Sequence, residues 1–157
     1  MLTIRQIKNA ETKAEICKKV LRDLPNWFGI EKATLEYIEK AQDAPFFAAF
    51  YEEDPIGFVY LYAHNEFSVE VYCMGVMEQY HRSGIERMLI NAAEQYCREK
   101  GAKYLTVKTL ADMHPDEGYK KTRQFYLAMG FIPLEVFDDL WGKENPCLFL
   151  VKFLHLE

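Results

Sequence analysis

Residues 67–101, FSVEVYCMGVMEQYHRSGIERMLINAAEQYCREKG, decide the fold, because they read as a strand, a tight turn and a helix in succession. Val69, Val71 and Cys73 alternate with Glu70, Tyr72 and Met74, the period of two that a pleated strand imposes. From Ile85 the apolar positions become Ile85, Met88, Leu89, Ala92 and Tyr96, the spacing of an amphipathic helix. Lys100 and Gly101 close it, a cation at the negative helix end and a residue free to take the left-handed cap. Between strand and helix lies His81-Arg82-Ser83-Gly84-Ile85-Glu86. A helix start offers unpaired N–H groups and partial positive charge, so an anion such as a diphosphate settles there. Ser83 is placed to cap the helix, and Gly84 lets a ligand approach the backbone. Arg82 and Arg87 add positive charge at the same end. An ordinary strand-to-helix turn with a serine cap fits these residues equally well.

At 157 residues the chain is most simply one domain, residues 1–157, long enough to bury a core. Half the residues are apolar and 15% aromatic, which excludes disorder. A net charge of -5 and a pI near 5.5 argue against a nucleic-acid or anionic-membrane surface and favour a neutral or cationic partner. The start of the chain, MLTIRQIKNAETK, lacks the apolar core of a signal peptide, and no run approaches the ~20 apolar residues of a membrane span. A cytoplasmic location is therefore expected. Cys17, Cys73, Cys97 and Cys147 lie far apart with no CxxC pair, so neither a zinc site nor a redox motif is indicated, and no metal is expected. Reduced, mostly buried thiols are the default. No Ser/His/Asp spacing, HExxH or P-loop supports a hydrolase, metalloprotease or nucleotide phosphatase.

The remaining elements follow in order. LTIRQI (2–7) is a short strand, 11–23 is a helix stopped by Pro25, and 31–41 is a second helix with Ala33, Leu35 and Ile38 apolar. Strands 46–51 and 56–64 form an antiparallel hairpin across Glu52-Glu53-Asp54-Pro55, and His64-Asn65 turns the chain into the central strand. After Gly101, KYLTVKT (103–109) is a strand that a long helix joins in parallel to the central one. A polar loop LADMHPDEG follows, then a helix over 119–129 closed by Gly130. Strands 131–137 and 147–154 end the chain, and the exposed final strand leaves a homodimer open.

The central unit resembles that of the GCN5-related N-acetyltransferases (GNAT). Their signature is a strand ending in apolar-Val, then [Arg/Gln]-x-x-Gly-x-[Gly/Ala] opening a helix whose amides bind the pyrophosphate of acetyl-CoA. Met74-Gly75-Val76 matches the strand end, and EQYHRSGIERML matches the loop. His81 stands where the family has Arg or Gln, Arg82 where many members have Gly, and Glu86 where the last Gly or Ala belongs. Phe125-Tyr126-Leu127-Ala128-Met129-Gly130-Phe131 matches a second motif, Phe/Leu-Tyr-x-x-x-Gly-Phe. Tyr119 replaces the usual Asn before it, and Thr122 stands where Ala is common. The element order fits from residue 2 to about 154.

The resemblance implies a mixed α/β acyl-CoA N-acyltransferase fold: a mixed central sheet flanked by helices. It implies acetyl-CoA as co-substrate, with Met74, Gly75, Val76, His81, Arg82, Ser83, Gly84, Ile85 and Glu86 as its binding residues. The activity implied is direct transfer of an acetyl group to an amine of a small molecule or protein. A non-catalytic acyl-CoA sensor is the alternative. Tyr126 is, by the same resemblance, the acid that protonates the departing thiolate. A phenol of pKa about 10 suits a thiol near 8.5. Backbone N–H groups near Met74, Gly75 and Val76 polarise the acetyl carbonyl. Trp27 and Phe28, between the first two helices, form a wall of the acceptor pocket or plug the core.

Glu70 is the candidate base, because a carboxylate on an otherwise apolar strand is uncommon. It equally faces solvent or pairs with Lys103 or Lys108. His64 and His114 are the other candidates by residue type.

Overall fold

The structure is a computed structural model and describes residues 1–111 and 117–154, with the side chains of residues 117 and 118 left out. Among these residues the order is β1 (Leu2–Ile7), α1 (Ala10–Arg22), α2 (Glu31–Ala41), β2 (Phe46–Tyr51), β3 (Asp54–Ala63), β4 (Ser68–Val76), a 3-10 turn (Glu78–Tyr80), α3 (Ile85–Glu99), β5 (Tyr104–Leu110), α4 (Glu117–Ala128), β6 (Ile132–Phe137) and β7 (Cys147–Phe153). The strands make one sheet in the order β1-β2-β3-β4-β5-β7-β6, the mixed α/β architecture that the strand–turn–helix unit predicts. The chain divides into two compact units, Met1–Tyr62 with Val71–Tyr96, and Ala63–Glu70 with Cys97–Glu157.

In the first unit β1, β2 and β3 pair antiparallel. The β2–β3 turn is tighter than the predicted four-residue one, because Asp54 and Pro55 already pair with Tyr51 and Phe50. A register shift between Ala49 and Phe50 accommodates the proline, and Glu52 takes the left-handed φ of 54° that so short a turn needs. Asn9 caps α1, its Oδ1 accepting from the Thr12 N–H at 2.9 Å. Ile16, Cys17, Val20 and Leu21 then bury one helix face against Phe46, Ala48, Phe58, Tyr60 and Cys73 of the sheet. Lys13 on the same helix is 8% exposed and donates to the Ala44 carbonyl at 2.7 Å, beyond the end of α2.

In the second unit β7 pairs antiparallel with β5 from Tyr104↔Phe153 to Leu110↔Cys147, and with β6 on its other side. The final strand is therefore interior, and the sheet edge here is β6, contrary to the expectation for β7. The α4 helix ends in a Schellman motif: Gly130, at φ 95°, donates to Leu127, and Phe131 donates to Tyr126. Its buried face carries Arg123 and Tyr126, and Met129, the first residue past the helix, is buried as well. The end of α3 repeats the motif, with Gly101 at φ 81° donating to Arg98 and Ala102 donating to Cys97. Among the described residues no helix is long and apolar enough to cross a membrane.

Candidate functional site

In the first unit, the loop after β4 is tied at several points before it reaches α3. The Met77 N–H donates to the Ile56 carbonyl at 2.9 Å, and the Glu78 N–H to Asp23 Oδ2 at 2.8 Å. His81 Nε2 lies 2.6 Å from the Val76 carbonyl, so that nitrogen carries the proton and staples the loop to the strand end. The Trp27 ring meets His81 edge-on, with centroids 5.6 Å apart. Trp27 and Phe28 are half-buried, and both pack against the core while retaining an accessible side.

Arg82 then adopts a φ of 65° and Gly84 a φ of 79°. Arg82 stands where many members of the resembled family have glycine, and it takes the left-handed conformation at the cost that any Cβ imposes. The expected Ser83 cap is not what forms. The helix begins at Ile85, and the Gly84 carbonyl accepts its first bond, from Met88 at 3.2 Å, so Gly84 holds the cap position. A fully buried Ile85 sets that start. Arg82, Ser83 and Gly84 are exposed, and a Cβ placed on Gly84 meets no atom within 4 Å. The backbone of this turn is thus open to a ligand, with Glu86 half-buried in the first helical turn. On β4, Met74 is half-buried while Gly75 and Val76 are buried. A Cβ on Gly75 lies 3.1 Å from Val20 and 3.2 Å from Leu24, so the glycine lets α1 close on the strand.

In the second unit, Glu70 is 4% exposed, which removes the solvent-facing alternative. Its Oε1 accepts from Lys108 Nζ at 2.9 Å and lies 2.7 Å from His64 Nε2. Lys108 is thus the lysine partner, whereas Lys103 Nζ sits over the Phe67 ring, 5.9 Å from its centroid. Two residues singled out separately, Glu70 and His64, form one cluster. The signal for it was the short turn at Asn65, whose Oδ1 accepts from the Phe67 and Ser68 N–H groups and folds the chain back. Cys147 senses the same charges: burial pushes its thiol up to about 11, Lys108 opposing and Glu70 adding.

Tyr126 is 5% exposed near the end of α4, its ring 5.2 Å from that of Phe125 and 5.4 Å from that of Phe131. One turn earlier, the buried Arg123 donates to the Leu110 and Ala111 carbonyls at 2.9 and 3.1 Å and clips this helix to the end of β5. Sequence reasoning passed over Arg123. Its position three residues before Tyr126, on the same helix face, was the available signal. His114 lies outside the described residues. Among the described residues no group of three or more His, Cys, Asp or Glu is placed to hold a metal ion.

No curated protein matches the chain. Several solved structures share its fold. An aminoglycoside 6'-N-acetyltransferase complexed with coenzyme A superposes with a TM-score of 0.79 at 16% identity, covering 99% of this chain and 98% of that one. The ribosomal-protein-S18-alanine N-acetyltransferase from Escherichia coli gives 0.79 at 13% identity, over 100% of this chain and 96% of its own. PaiA N-acetyltransferase from Thermoplasma acidophilum, in complex with coenzyme A, gives 0.70 at 17% identity over 98% and 99%. The sequence pattern of one family spans residues 9–131, from the cap of α1 through the open loop to the glycine-closed end of α4: the chain belongs to the acetyltransferase (GNAT) family.

Proposed function

We propose that the protein is an N-acetyltransferase that moves an acetyl group from acetyl-CoA directly to an amine of a small molecule or a protein. The observation that carries this is the open turn at 81–86, with left-handed backbone at Arg82 and Gly84, opening a 15-residue helix in a chain of this family. Backbone N–H groups there, with Arg82 and Arg87, bind the diphosphate. Groups near Met74, Gly75 and Val76 polarise the acetyl carbonyl as charge develops on its oxygen. Glu70 and the groups bonded to it draw the proton from the amine, directly or through water, and Tyr126 protonates the departing thiolate. The reaction passes through no covalent enzyme intermediate and uses no metal. We place it in the cytoplasm, with no nucleic acid or membrane as partner.

The acceptor reading rests on less. The net charge of -5 favours a cationic amine, and the accessible sides of Trp27 and Phe28 suit an apolar or aromatic portion of it. The names of the structural neighbours include a small-molecule and a protein acceptor, so both classes belong in the screen.

Glu86, a carboxylate in the first turn of α3, supports a second reading, an acyl-CoA sensor without turnover. Calorimetric titration with acetyl-CoA, followed by an amine screen, decides between them. Micromolar binding with acetylation that Tyr126→Phe lowers by about 10²-fold, CoA affinity unchanged, supports the enzyme. Binding without any acetylation supports the sensor. Absence of binding at millimolar ligand overturns both.

A further inference from the structure

We propose that Lys40 and Tyr72 form a subsite for a carboxylate, so that the amine acetylated belongs to a molecule of the amino-acid kind, bearing a carboxylate beside its amine. This rests on the transferase reading above and names the acceptor class for that same site. Its residues all lie in the first unit, as do the open turn and the strand end at 74–76. Lys40 stands in the last turn of α2, and its Nζ donates to the Tyr72 hydroxyl at 2.7 Å. An ammonium only donates, so the tyrosine oxygen is the acceptor and its own O–H is left to donate elsewhere. Among the described residues neither side chain makes a further hydrogen bond or an ion pair, and Glu36, one turn back on α2, acts on the ammonium only through space. The remaining N–H donors of an exposed cation and the O–H of a half-buried phenol thus meet at one point, a donor set that a carboxylate matches.

The pair is held in place. The Tyr72 ring stacks on that of the buried Tyr60, centroids 5.7 Å apart, and the Tyr60 hydroxyl donates to the Tyr37 carbonyl of α2 at 2.9 Å. The rings of Tyr37 and Tyr62 stand 6.0 Å from that of Tyr72, and Phe28 meets Tyr37 edge-on at 5.7 Å. The donors therefore sit on an aromatic surface, half-buried at Phe28 and Tyr37 and 54% exposed at Tyr62, that fits the apolar body of an acceptor. On β4, Tyr72 and Met74 are both half-buried while Cys73 and Gly75 are buried, so the two share a strand face about 6–7 Å apart. A small molecule seated on Tyr72 reaches the backbone groups at 74–76.

Local charge selects the anion. The net charge of -5 favours a cationic amine, but it is spread over the molecule and screened over ~8 Å at physiological ionic strength. A group at Tyr72 lies within hydrogen-bonding reach of the ammonium, which repels a second cation on the acceptor and attracts a carboxylate. The hydrogen bond to Tyr72 raises the proton affinity of Lys40, so the ammonium is charged at any assay pH near neutrality.

Matched pairs of amines test the subsite: phenylalanine, leucine and methionine, each against its carboxamide. The ratio of amide KM to acid KM is expected to fall about tenfold in Lys40→Met and by a smaller factor in Tyr72→Phe, the loss falling on the KM of the acid and not on kcat. In the wild type the same ratio is expected to shrink as ionic strength rises, which a merely structural lysine does not produce. Binding is read separately by calorimetric titration of 3-phenylpropanoate, which has the carboxylate and no amine, into the protein in excess CoA. Its Kd is expected to rise about tenfold in Lys40→Met. The proposal is overturned by a KM ratio that Lys40→Met leaves unchanged, by acetylation confined to amines without a carboxylate, or by 3-phenylpropanoate that binds both proteins equally or neither. If 3-phenylpropanoate binds through Lys40 while no amine is acetylated, the transferase reading has failed and the carboxylate subsite stands.

Discussion

Glu86 sets two effects against each other. In the first turn of α3 a carboxylate favours the helix by about 0.3–1 kcal/mol, while a diphosphate bound at that end is repelled by it. Glu86→Gln is therefore expected to lower the urea midpoint slightly and to tighten acetyl-CoA, measured calorimetrically, by about fivefold, the factor that ~1 kcal/mol of repulsion gives. Unchanged affinity shows that the carboxylate points away from the ligand. Cys17 makes a prediction about pH. Burial pushes its thiol from 9.0 up to about 12. Above pH 9 the unfolded chain sheds this proton and the folded chain keeps it, so the folded state binds more protons and stability falls as pH rises. Cys147, pushed up to about 11, acts in the same direction. Urea midpoints taken below and above pH 9 are expected to drop, and less steeply in Cys17→Ala. At this scale residue types were legible in the sequence, but conformations and partners were not. Nothing in the identity of Arg82 announces a φ of 65°, and nothing in Glu70 chooses Lys108 over Lys103.

Helices and strands were legible as periods, less so as phases. The 3.6-residue repeat located α2 and α3, yet in α2 the expected Leu35 is 52% exposed while Tyr37 packs inward. In α3 the fully buried line is Ile85, Leu89, Ile90, Ala93 and Cys97, so Met88, Ala92 and Tyr96 flank the stripe instead of centring it. Residue hydrophobicity tells that a face is apolar, whereas the neighbour's shape decides which of two adjacent lines of side chains goes deepest. Lys13 shows the same limit, because a lysine on a helix reads as solvated. Here it joins α1 to the chain beyond α2, donating to Ala44 at 2.7 Å and Gln42 at 3.4 Å. Lys13→Met keeps the stem and removes the ammonium. It is expected to cost about 1.5–3 kcal/mol in urea unfolding, the range for hydrogen bonds to a charged group. A loss below about 0.5 kcal/mol shows that water replaces the ammonium without penalty.

The strand order bears on how two molecules would meet. Because β7 runs between β5 and β6, the edge open to a second copy at this end is β6, where Ile132 is 53%, Leu134 62% and Val136 36% exposed. We expect any self-association to use this strand. Leu134→Lys should lower the sedimentation-average mass at high concentration and leave the unfolding free energy within about 0.5 kcal/mol, since the side chain already faces water. Sedimentation unaffected by the substitution places the association elsewhere. The sequence by itself determined the elements, their order and the family motifs, because helix period, strand alternation, glycine caps and the strand–turn–helix unit are each read over a few neighbouring residues. Tertiary structure alone decided that β7 inserts beside β5, that Gly84 rather than Ser83 starts α3, and that His64, Glu70 and Lys108 converge on one oxygen. The physical reason is one of range. Closing a longer loop costs little more than closing a short one, so sequence separation scarcely constrains which strands pair, and the choice falls to the burial and hydrogen bonding of the assembled sheet.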